Sequence, residues 1–82
     1  MTMPADRAIA AEHLELANRH LAEGQRRVEG QLMLIARLDR DGHDTQPARE
    51  LLRQFEKTLA LQVETRDRIA DELRQETKWV SR

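Results

Sequence analysis

The sequence predicts an all-α fold: a two-helix antiparallel hairpin with coiled-coil-like packing, expected to dimerise into a four-helix bundle. Three observations predict it. Leu, Ala, Arg, Glu and Gln dominate the 82 residues while aromatics make up 2%, which is the composition of long amphipathic helices. Apolar residues recur at spacings of three and four through two long stretches. Between those stretches lies a single strong break, Asp41-Gly42-His43-Asp44-Thr45-Gln46-Pro47. Tyrosine is absent and β-branched residues are sparse, which argues against strands.

The first helix is expected over residues 4–41. Gly42 suits the left-handed position just past a helix end. Residues 42–45 form the turn, with Asp44 or Thr45 as N-cap of the second helix and Pro47 tolerated in its first turn. That second helix is expected over residues 46–78. So short a connection makes the two helices antiparallel neighbours. Residues 1–82 then form a single helical-hairpin domain, near the lower size at which one chain builds its own core.

Both helices carry a heptad rhythm. In the first, Leu14, Leu21, Val28 and Ile35 alternate with Ala10, Ala17, Gly24, Gln31 and Leu38. In the second, Leu52, Leu59, Arg66, Leu73 and Val80 alternate with Ala48, Phe55, Gln62, Ile69 and Glu76. The spacing gathers each series into one stripe. Ala10, Ala17 and Gly24 make one edge of the first helix small, which permits close approach of a neighbour. Leu16, Leu32, Met33, Leu34, Leu51 and Leu61 fall off the stripe, and one partner helix cannot cover them all. This excess is the reason to expect a homo-oligomer, most simply a dimer. Outside the stripe, Glu15/Arg19, Glu23/Arg27 and Glu64/Arg68 are spaced to pair along the helix surface.

Charge and composition exclude several classes. Net charge is −1, and each half is balanced: residues 1–42 hold six basic and seven acidic side chains, residues 43–82 eight and eight. A chain that grips a phosphate backbone usually shows a basic excess, so a nucleic-acid partner is not expected. There is no cysteine for disulfide or thiolate chemistry. No apolar run approaches the roughly 20 residues that cross a bilayer, and Met1–Arg7 leads into no signal-peptide core. A cytoplasmic location without membrane attachment is the expectation.

Folding the chain about residues 42–43 sets Gly24 beside Gln62, His20 beside Arg66, Ala17 beside Ile69 and Gln31 beside Phe55. A polar layer of Gln31, Gln62, Arg66 and His20 is therefore expected to interrupt the apolar seam. Such a layer fixes register and oligomeric state at some cost in stability. As a site, it would instead hold a small anion around Arg66. His13 and His20 share one edge but are separated by about 10.5 Å of helix rise, too far for one metal ion. Asp39, Asp41, Asp44 and Glu50 touch a calcium-loop pattern, but the loop's glycine position is Asp44 and Pro47 falls inside it. They read as caps and solvated carboxylates. Trp79 is expected to pack near the open end of the hairpin, or to anchor a partner. No cofactor and no metal are expected.

The stretch Ala17-Asn18-Arg19-His20-Leu21-Ala22-Glu23-Gly24 resembles a pattern recurring in small bacterial helical-hairpin proteins of uncharacterised activity. So do Gln31 with Leu34-Ile35-Ala36-Arg37-Leu38, the turn Asp41-Gly42-His43-Asp44-Thr45, and Ala48, Leu51-Leu52, Phe55-Glu56 and Leu59. The resemblance spans His13 to Leu73 and implies the hairpin fold, with no roles for particular residues.

The function expected is that of a non-enzymatic, oligomeric protein-interaction or regulatory module. One alternative is a dimeric hairpin that binds RNA through Arg19, Arg26, Arg37 or Arg53, as small plasmid copy-number regulators do. Another is small-ligand or metal binding in the polar layer. An enzyme is not expected. Small all-helical catalysts such as chorismate mutase project several Arg and Lys side chains into the bundle core, and here only Arg66 lies on the stripe.

Overall fold

The computed structural model describes the backbone of residues 4–80 and the side chains of residues 7–75. It consists of two helices, α1 (Pro4–Arg40) and α2 (Gln46–Val80), packed along each other as an antiparallel hairpin. No strand occurs among the described residues.

The turn satisfies its own backbone. The His43 N–H donates to the Leu38 carbonyl at 2.8 Å and the Gly42 N–H to the Asp39 carbonyl at 3.1 Å. This is the Schellman arrangement, and it requires the left-handed conformation that Gly42 adopts at φ 77°. Asp41 still donates its N–H to the Arg37 carbonyl but flanks the helix, so α1 ends at Arg40 rather than at Asp41. Asp44 and Thr45 share the capping of α2. The Asp44 carboxylate accepts the Gln46 N–H at 3.0 Å, while the Thr45 carbonyl accepts the first helical bond from Arg49 at 2.9 Å. Pro47 is the second residue of α2, where a missing N–H leaves nothing unsatisfied. At the other end α2 runs to Val80 rather than stopping at Lys78, because no Gly or Pro interrupts it there.

The heptad stripe is the surface the hairpin covers. Every stripe position of α1 from Ala10 to Leu38 is buried or half-buried, with Ala22 the one addition among the described residues of that helix. In α2 every stripe position from Ala48 to Leu73 is half-buried, joined by Val63 and Ala70. Glu76 and Val80 lie outside the described side chains.

The core is thin. Ala17, Leu21 and Ile35 are its buried apolar residues, and no large side chain among the described residues is fully buried. Geometry explains this. The radius of gyration is 18.4 Å, against about 12 Å for a compact chain of this length, and a rod of two helices leaves the outer half of each one wet.

The surface pairs differ from expectation. Glu15/Arg19, Glu23/Arg27 and Glu64/Arg68 are not among the ion pairs of the described residues; Arg66–Asp67 at 2.7 Å and Asp71–Arg74 at 3.0 Å are. An exposed pair gains so little over hydration that ideal spacing alone does not hold two long side chains together.

Candidate functional site

One side of the hairpin carries a groove. His13, Leu16 and His20 of α1 form one wall, and Thr58, Leu61 and Thr65 of α2 form the other. Ala17, Gln62 and Ile69 line it between the walls, and the cavity measures about 370 Å³. Repetition builds these walls: His13 and His20, like Thr58 and Thr65, are seven residues apart, two helical turns on one edge. The small residue Ala17 keeps the α1 side low. Leu16 and Leu61 stand exposed on the rim, Leu61 at 59%. Among the described residues no hydrogen bond joins either threonine to either histidine.

Gln62 sets the floor of this groove against Gly24. A Cβ at Gly24 would fall on Gln62 Oε1 and come within 3.2 Å of Leu59 Cδ1. The missing side chain thus makes room for the glutamine amide at the helix crossing. Gln62 Oε1 is buried and accepts no hydrogen bond. An unsatisfied buried carbonyl costs about 1–3 kcal/mol, a local penalty set against the close packing of Gln62 on Gly24.

The expected polar layer divides into separate elements. Gln31 is buried, and its Nε2 donates to the Ala48 carbonyl at 2.9 Å, tying α1 to the first turns of α2. Gly24, the position Gln62 meets, lies seven residues away, or about 10.5 Å along α1. Arg66 turns to its own neighbour: its Nε donates to Asp67 Oδ1 at 2.7 Å, and its side chain is 32% exposed. It therefore does not enter the seam as a free cation. His20 and His13 are exposed and come together as rim residues of the groove. Trp79 lies outside the described side chains.

Sequence reasoning missed Thr58 and Thr65. Their signal was available: the antiparallel register that pairs Gly24 with Gln62 also sets Thr65 near His20. Attention to the stripe alone passes over such flanking repeats.

Among the described residues no group of three or more His, Asp or Glu side chains is placed to hold a metal ion, and no helix is long and apolar enough to cross a membrane. Arg19, Arg26, Arg37 and Arg53 are all exposed, on both helices. Fold and groove together define the class: an all-α helical hairpin with an open, largely apolar groove between its helices. Comparison with family models, curated proteins and solved structures finds no match for this chain.

Proposed function

We propose that the chain is a non-enzymatic protein-interaction module that works as a homodimer, two hairpins packing as a coiled-coil-like four-helix bundle. The observation that carries this reading is the amount of apolar surface the hairpin leaves uncovered. Ile9, Leu16, Leu32, Met33, Leu34, Leu51 and Leu61 are all exposed. The chain presents 6620 Å² to solvent, where a compact monomer of its 9.6 kDa presents about 5,100 Å². Covering the roughly 1,500 Å² excess on each of two chains gives an interface of the size found in obligate homodimers. The resemblance to small bacterial helical hairpins fits such a module, for which the setting we propose is cytoplasmic.

Sedimentation equilibrium at micromolar concentration tests the reading, with a dimer of 82-residue chains as the expected species. A stable, fully helical monomer would overturn it. Turnover of chorismate by the purified protein would overturn the non-enzymatic assignment.

The groove favours one further reading. Its volume lies at the lower end of ligand pockets and its lining is largely apolar, which suits a small, largely apolar ligand. Displacement of a hydrophobic fluorophore from the groove by such a compound would support it. RNA binding draws less support. Among the described residues Glu15, Glu23 and Glu29 are interleaved with Arg19 and Arg26 along α1, so these arginines form no uninterrupted basic strip. RNA affinity falling steeply with salt would reverse that judgement.

A further inference from the structure

Self-association, proposed above, leaves open which side of the hairpin meets the second copy. We infer that it is the groove side, and that the seam of the dimer runs through Leu16, Leu34, Leu51 and Leu61. This inference rests on the homodimer reading and adds a location to it.

The placement follows from spacing anchored on the groove. His13, Leu16 and His20 face the same cavity as Thr58, Leu61 and Thr65, so these two helix edges lie on one side of the hairpin. A helical position recurs on its edge every seven residues, with a drift of about 20°. Ile9 is seven residues before Leu16, Leu34 fourteen after His20, and Leu51 seven before Thr58. The same side therefore extends with Ile9 toward the open end and with Leu34 and Leu51 toward the turn. Five of the seven exposed large apolar side chains fall on it. Leu32 and Met33 are the exceptions; Met33 lies on the edge of Arg19, Arg26 and Arg40, at seven-residue spacing.

Area and charge identify the occupant as a second copy of this chain. One side of the hairpin, some 62 Å long and 15 Å wide, is long enough for a second hairpin to lie along it and supply the area of about 800 Å² or more that each partner contributes to a stable interface. Charges flanking the apolar line are of both signs: Glu23, Arg27 and Arg37 on α1, Arg68 and Glu72 on α2. A two-fold interface brings a patch against itself, and a patch carrying both signs repels itself less than a patch of one sign. The groove between Leu16 and Leu61 gives the partner's protruding leucines a place to enter.

Three exposed leucine or methionine positions supply the test. Leu16→Glu and Leu61→Glu place carboxylates on the proposed seam, while Met33→Glu places one on the outer edge of α1. Sedimentation equilibrium is expected to show the first two weakening the dimer by about 100-fold or more, and Met33→Glu changing it less than about threefold. Unaltered association in both seam variants, with the parent chain dimeric, would overturn the inference and leave the homodimer standing. A monomeric parent chain would remove both. A second measurement does not depend on the variants dissociating. The chain contains no cysteine, so Leu61→Cys and Met33→Cys are unique thiols. Raising the protein concentration through the dissociation constant should slow alkylation at position 61 by about tenfold or more and leave position 33 unchanged. Equal rates at the two positions at all concentrations would refute the placement.

Discussion

Gly42 shows how much one residue can decide. Its φ of 77° closes the Schellman turn, and any residue with a Cβ meets a penalty of about 1–2 kcal/mol there. Gly42→Ala is therefore expected to lower stability by that amount, read from the urea midpoint at matched protein concentration. The other two glycines have different physics. A Cβ added at Gly30 would meet nothing within 4 Å in the single hairpin, so at protein concentrations where the chain is monomeric Gly30→Ala should stabilise the helix by about 0.5–1 kcal/mol through propensity. Gly24→Ala meets the same favourable backbone term but must displace the Gln62 amide and press on Leu59. The thermal midpoint of Gly24→Ala should consequently fall below that of Gly30→Ala; the reverse order would mean that Gln62 does not occupy the space Gly24 leaves.

At the scale of the helices, the question is what holds α1 and α2 in register. The turn sets which positions meet, and apolar contacts along the stripe add little specificity against a slip of one helix along the other. Gln31 resists the slip. Its bond to the Ala48 carbonyl exists in one register only, and a shifted chain would bury the amide without a partner. Gln31→Ala is expected to destabilise the hairpin by about 1–2 kcal/mol, read as a shift in denaturation midpoint. If Gln31→Leu proves as stable as the parent yet gives broadened amide spectra, the glutamine acts through specificity; sharp spectra with full stability would exclude that role. The caps work at the same scale. Asp44 and Thr45 start α2 where the chain must reverse, which fixes where the stripe of one helix first meets the other.

For the whole molecule, shape governs the energetics. Two helices of 37 and 35 residues make a rod, and a rod has too much surface for its volume. Coupling of folding to association follows if the second copy supplies the missing cover. The thermal midpoint should then rise by several degrees for each tenfold increase in protein concentration, followed by circular dichroism. A midpoint independent of concentration over a hundredfold range would mean that the single hairpin carries its own stability.

The two helices, the turn at Gly42 and the covered stripe were legible in the sequence, because each rests on local chemistry or on the helical period. Gly42 has one role its backbone permits, and residues three and four apart share a face whatever lies opposite. The pairing of Gly24 with Gln62 was legible too, since an antiparallel turn fixes which positions meet. The polar layer was not. Register places Gln31, Gln62 and Arg66 on the seam but says nothing of where long, flexible side chains end. The tertiary structure decided that Arg66 turns to Asp67, that Gln31 reaches Ala48, and that Gln62 settles against Gly24. It also decided which flanks share a side, joining His13 and His20 to Thr58 and Thr65 across a groove that belongs to neither helix alone. A stripe is a property of one helix; a groove exists only between two.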